Sequence, residues 1–184
     1  MALERILPYA KNLLTRTINS GDTVIDATCG NGLDTEFLAK LVGDKGSVYA
    51  FDVQTDAIEA TRTRLQGKNI NNVKLIHDGH ERVLQYVSSD VSSAIFNLGY
   101  LPGSDKSITT KGDTTWLAIV NILSILKKGG LIILVVYHGH AEGKLERSFI
   151  EEKISTLNTS ETEVLRYQFL NKKDAPYIIA IEKK

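Results

Sequence analysis

The feature that most constrains this chain is the stretch Val24-Ile25-Asp26-Ala27-Thr28-Cys29-Gly30-Asn31-Gly32-Leu33-Asp34-Thr35. β-Prone residues run into an acid, a turn of small residues follows, and a helix opens. Two glycines let the backbone turn sharply and let a ligand approach bare amide groups at the start of the helix. The spacing is not the G-x-G-x-x-G dinucleotide fingerprint, and no Gly-Lys-Ser/Thr follows to make a phosphate loop. The stretch reads as a nucleotide-type turn at the end of a first strand, with an ordinary strand–turn–helix junction as its plainer meaning.

The remaining chain repeats that plan. Ile6, Tyr9, Ala10, Leu13 and Leu14 predict a helix within 3–19 with one buried stripe. Strand one is expected at 23–27, then a helix to Leu41 with Asp34 as its cap. Ser47 to Asp52 reads as strand two, and a helix capped by Thr55 or Asp56 follows it. Val73 to Ile76 is strand three, His80 onward a helix, and Ser92 to Phe96 strand four. A polar loop to Asp113 leads into a helix carrying Trp116, Ile119, Val120, Leu123 and Leu126. Lys127 and Lys128 suit its negative end, and Gly129-Gly130 is expected to stop it. Leu131 to Tyr137 is apolar on both faces, as in a central parallel strand covered by helices. A helix over 143–157 and strands at 164–170 and 177–182 complete the chain. The pattern predicts one α/β domain over 1–184: a doubly wound, mostly parallel, seven-stranded Rossmann-like sheet with a C-terminal antiparallel hairpin. Such sheets bind ligands beyond the carboxyl ends of the strands, where the acids and glycine turns of this sequence fall.

Those acids define the candidate site. Asp26 and the loop residues Cys29, Gly30, Asn31 and Gly32 surround the first turn. Asp52 can accept both ribose hydroxyls of a nucleoside, or it is a loop or capping acid, and Gln54 can add an amide contact. Asp78 and Gly79 fit the edge of an adenine ring, with helix capping by Asp78 as the alternative. Cys29 reads as a small residue in a tight place, since no basic partner is evident to activate it. Asn97 at the end of strand four can accept a hydrogen bond from an amine and direct its lone pair, and Tyr100 can stack on a flat base; as a turn residue Asn97 has a simpler role. His138 and His140 face the same rim and can orient a substrate or take a proton from an ammonium group. Asp105, Lys106 and Lys111 can meet an RNA phosphate or a substrate amine, or form a solvated loop.

The totals bound the partners. The 184 residues carry 22 Lys and Arg against 22 Asp and Glu, so any nucleic-acid contact needs a local basic patch. One cysteine leaves no internal disulfide or zinc cluster and points to a reducing, cytoplasmic setting. No metal site and no membrane span are expected; the longest apolar run falls well short of a span.

The segments D-A-T-C-G-N-G-L-D-T, F-D-V-Q, H-D-G-H-E, N-L-G-Y-L-P-G-S-D-K-S-I-T-T and Y-H-G-H-A-E-G-K together resemble the YtqB-like/MnmM family of class I S-adenosylmethionine (SAM) methyltransferases, earlier labelled rRNA methylases. D-A-T-C-G-N-G resembles motif I of that class. Asn97-Leu98-Gly99-Tyr100 stands where many amino methyltransferases carry Asn/Asp-Pro-Pro-Tyr, but lacks both prolines. The resemblance implies SAM as cofactor, held by the residues named above with His80 among them. It also implies N-methylation of 5-aminomethyl-2-thiouridine at wobble position 34 of tRNA, the anticodon stem-loop being the substrate. A compact neutral domain needs added surface to hold an RNA, so a homodimer is expected. The alternatives are a SAM enzyme acting on rRNA or a small-molecule amine, and a non-catalytic nucleotide- or RNA-binding module.

Overall fold

The computed structural model describes residues 3–88, 90–99, 111–137, 141–172 and 175–184, with the backbone alone at 141–146. Tyr100, Asp105, Lys106, His138 and His140 lie outside the described residues.

The helices are α1 (Ile6–Thr17), α2 (Leu33–Val42), α3 (Thr55–Gln66), α4 (Gly112–Ile125) and α5 (Ala141–Ser155). The strands are β1 (Thr23–Asp26), β2 (Ser47–Asp52), β3 (Val73–His77), β4 (Val91–Leu98), β5 (Leu126–Val136), β6 (Thr162–Tyr167) and β7 (Tyr177–Lys183). They form a seven-stranded sheet in the order β3-β2-β1-β4-β5-β7-β6. The first five strands are parallel, and β7 runs antiparallel to both β5 and β6. This is the doubly wound sheet with a terminal hairpin that the sequence predicts. The strand order reverses between β1 and β4, so a crevice opens beyond Asp26 and Asn97.

The strand pattern divides the core in two. Along β5, Leu131, Ile133 and Val135 pack with Ile6, Ala10 and Leu14 of α1 and Leu38 and Ala39 of α2. Ile132, Leu134 and Val136 pack on the other face with Ile119 and Ile122 of α4 and Ile150 and Ile154 of α5. From Leu131 to Val136 the strand is apolar at every position because both faces are covered. The buried residues Ile6, Ala10 and Leu14 recur every four residues, which holds α1 against the sheet by one stripe. Tyr9 of α1 also stacks on Tyr167 of β6, with ring centroids 4.0 Å apart.

Four local expectations change. Asp34 does not cap α2: the N-cap is Gly32 in a left-handed conformation, and the Asp34 side chain reaches across to β4. Neither Thr55 nor Asp56 caps α3, whose N-cap is Gln54 without a side-chain bond. The segment His80–Gln85 is a 3-10 helix, too short to show α periodicity. Lys127 and Lys128 lie inside β5, which starts at Leu126 directly after α4. Lys127 bonds both oxygens of Asp22 at 3.1 and 2.9 Å. The carbonyls at the end of α4 are met by Lys183 from β7, whose Nζ donates to Leu123 O and Leu126 O at 2.8 Å each. A distant lysine thus fills the role that sequence proximity assigns to its neighbours.

Candidate cofactor and methyl-acceptor site

The site is built on the ends of β1, β2 and β4. Asp26 is the last residue of β1 and is fully buried on the face that packs against α2. Its carboxyl accepts from Thr35 Oγ1 at 2.6 Å and from Thr28 N at 3.2 Å. Burial is the main force pushing its pKa up to about 7, and the neighbouring charge of Asp34, with a smaller contribution from Asp52, adds to it. Three carboxyl groups therefore share one end of the sheet and make it electronegative.

The glycine loop is held from both sides. Cys29 N donates to Phe51 O at 2.8 Å, tying the loop to β2. Gly30 and Gly32 both have positive φ, 51° and 75°. Thr61 of α3 donates its hydroxyl to Gly30 O at 2.9 Å, and Arg64 Nε donates to Asn31 O at 2.7 Å. Asp52, at the end of β2, accepts from Gly30 N and from Gln54 N, each at 3.0 Å. Each carboxylate oxygen accepts one bond there and has a further lone pair for a ligand hydroxyl. Cys29 is buried and its thiol is pushed far up by that burial and by Asp26 and Asp52, which makes it a packing residue in the loop and a poor nucleophile.

Asp78 follows His77, the register partner of Asp52. Its carboxylate accepts from Tyr86 OH and Gly79 N at 2.8 Å each and lies 3.3 Å from Arg82. Burial pushes its pKa up, but Tyr86, Gly79 and Arg82 outweigh that and hold it below the ordinary range. The residue does not cap the 3-10 helix, whose N-cap is Gly79. His80 is buried, with Nδ1 2.9 Å from Ala27 O and its ring edge-on to Phe96. It braces the end of β1 from behind.

Across the crevice, Asn97 is half-buried near the end of β4. Its backbone N–H, released where β4 parts from β1, donates to Thr28 Oγ1 at 2.7 Å. Its side-chain Nδ2 donates to Asp34 Oδ2 at 2.9 Å. The structure thus brings Asp26, the glycine loop, Asp52, Gln54, Asp78, Gly79, His80 and Asn97 to one end of the sheet, and leaves Lys111 exposed at the N-cap of α4. Residue-type reasoning missed Thr28, Thr35, Thr61 and Asp34. The signal at Thr61 was a polar residue inside the apolar stripe of α3. Among the described residues no three His, Cys, Asp or Glu side chains gather as a metal site, and no helix is long and apolar enough to cross a membrane.

The strand order, the terminal hairpin and a glycine loop facing an acid on β2 define a class I methyltransferase fold. The chain belongs to the family described as "Putative rRNA methylase", whose model matches residues 48–182. The model of protein-L-isoaspartate(D-aspartate) O-methyltransferase matches residues 5–90, which end before β4. The chain is 43% identical over 180 residues to the chloroplastic tRNA (mnm(5)s(2)U34)-methyltransferase of Arabidopsis thaliana, covering 92% of this chain and 66% of that relative's length. A crystal structure from Clostridium thermocellum described as a "putative rRNA-methylase" is 38% identical, with full coverage of both chains and a TM-score of 0.98. The structure of SMU.1697c from Streptococcus mutans, in complex with SAH, is also 38% identical, covers 99% of both chains and has a TM-score of 0.91.

Proposed function

We propose that this protein transfers a methyl group from SAM to the amine of 5-aminomethyl-2-thiouridine at wobble position 34 of tRNA. The observation that carries the reading is the likeness, along nearly the whole chain, to a relative named for that modification. The SAH-bound structure supports SAM as the cofactor.

The residues present fit such a cofactor. Gly30 and Gly32 leave two positions of the first turn without side chains, and Asp52 can accept ribose hydroxyls while it anchors Gly30. The cluster of Asp26, Asp34 and Asp52 suits a cation. When bound, SAM supplies an electrophilic methyl group on a good leaving group, so no metal is required. The protein's own part is placement. Asp26, Asp52 and the loop hold one reactant, and Asn97 accepts from the acceptor amine and directs its lone pair. A protonated amine first loses its proton, to His138, His140 or solvent. The anticodon stem-loop is taken as the bound part of the substrate, with a second copy of the chain extending the platform and the cytoplasm as the setting.

The test is methyl transfer from labelled SAM to bulk tRNA and, in parallel, rRNA from a strain lacking this gene, followed by nucleoside analysis. Label in 5-methylaminomethyl-2-thiouridine is the expected result. Label in rRNA alone, or no transfer with SAM bound, overturns the acceptor. Absence of any SAM or SAH binding by calorimetry favours a non-catalytic module.

A further inference from the structure

Asp34 is the second residue of α2, where an acid is usually explained by the helix dipole. Its contacts give it a second task. Oδ2 accepts from Asn97 Nδ2 at 2.9 Å across the crevice, and Oδ1 lies 3.7 Å from Lys11 Nζ of α1. Lys11 also sits 4.9 Å from the ring centroid of Phe37, so α1 and α2 together position the carboxylate. The main chain of Asn97 is held separately, by Thr28.

A carboxylate accepts hydrogen bonds and cannot donate them, whereas an amide does both. An amide facing a carboxylate must turn its NH2 toward it, and its carbonyl oxygen then lies at the opposite corner. A neutral amide at the same place would bond Asn97 equally well in either orientation. We propose that Asp34 is a positioning residue for methyl transfer: by accepting from Asn97 Nδ2 it fixes the side-chain amide so that Oδ1, the end that receives the acceptor amine, faces the substrate. This rests on the proposed acceptor chemistry and adds to it the device that orients the strand-end asparagine.

The test is a cycle of Asp34→Asn, Asn97→Asp and their combination, with kcat, KM for tRNA, SAM affinity and thermal midpoint measured for each. Asp34→Asn retains a hydrogen bond to residue 97, so a purely structural role predicts near wild-type turnover. The positioning role predicts, at saturating SAM, a kcat at least tenfold lower, with KM for tRNA within about twofold and a midpoint within a few degrees of the wild type. Asn97→Asp alone puts two carboxylates in contact and should lose at least as much. The double variant restores one donor facing one acceptor-only group and keeps an acceptor toward the substrate, so its kcat should exceed that of Asn97→Asp by about tenfold. Wild-type kcat in Asp34→Asn, or a double variant no better than Asn97→Asp, overturns the role. If the wild-type protein binds SAM yet leaves the aminomethyl nucleoside unmethylated, the acceptor reading fails and this role falls with it.

Discussion

Asp52 Oδ2 accepts a hydrogen bond from the backbone N–H of Gly30 at 3.0 Å, joining the end of β2 to the glycine loop after β1. One side chain therefore sets the loop's position and also presents acceptors to a ribose. Asp52→Ala removes both. Hydrogen bonds to a charged group contribute about 1.5–3 kcal/mol each, so SAM and SAH affinity should fall by roughly a hundredfold or more. Asp52→Asn keeps one acceptor and should lose less. Titration calorimetry with both ligands checks this, and unchanged affinity in Asp52→Ala would move the cofactor away from β2.

Gly32 has a φ of 75°, and a Cβ there would lie 2.9 Å from both Cγ2 and Oγ1 of Thr61 and 3.0 Å from its Cα. Thr61 is buried and its hydroxyl is committed to Gly30 O, so it has little room to yield. Gly32→Ala should cost about 2–4 kcal/mol from left-handed strain and the clash together. A chain of this size then melts roughly 4–16 °C lower. Gly21 also has a positive φ, 92°, but opens onto empty space. Gly21→Ala is the control for backbone strain alone, and equal losses in the two variants would refute the Thr61 contact as the cause.

The contrast between Asp52 and Asp34 shows what could be read from the sequence. β2 is bounded by a glycine turn before Ser47 and an acid at Asp52, both local signals, and the structure ends the strand at those residues. The alternating cores along β5 and β7 were likewise written in their apolar runs. Asp34 was read as a cap because acids at helix starts usually are. Its actual partner is 63 residues away on β4, and nothing periodic links the two. The same holds for Lys183, which supplies the end of α4 from the last strand. Local patterns gave the elements and the strand-end acids. Contacts across the switch point depend on which strands become neighbours, and residue spacing does not encode that.

Asp26 makes stability depend on pH in a direction opposite to most paired acids. In the unfolded chain its carboxyl ionises near 4, and in the fold it is pushed up to about 7, chiefly by burial. Between those values the native state holds a proton that the unfolded state has released. Stability is therefore lost as pH rises through this window, by up to about 4 kcal/mol. Asp26→Asn is neutral throughout and should gain on the wild type by that order between pH 4 and pH 8. His80, held below its ordinary value by burial, loses stability as pH falls, but it is common to both proteins and cancels in the difference. Urea unfolding across the range checks the sign; a difference that is flat in pH would mean Asp26 is ionised in the fold at pH 5.

His80 and Ala27 give a test in which hydrogen bonding and hydrophobicity predict opposite orders. A carbonyl only accepts, so the 2.9 Å contact between His80 Nδ1 and Ala27 O places the proton on Nδ1. Nε2 is then an acceptor, buried and without a partner among the described residues. His80→Asn puts an amide donor near the Nδ1 position and removes the buried Nε2. His80→Leu fills the space between β1 and Phe96 with an apolar group but leaves Ala27 O without its donor. Leaving a buried acceptor unpaired costs about 1–3 kcal/mol. His80→Leu should therefore be the less stable variant and should also weaken SAM binding, because the carbonyl at risk lies two residues before Cys29 in the cofactor loop. If His80→Leu unfolds at higher denaturant than His80→Asn, the ring's packing against Phe96 matters more than its bond to Ala27, and His80 holds the site by volume alone.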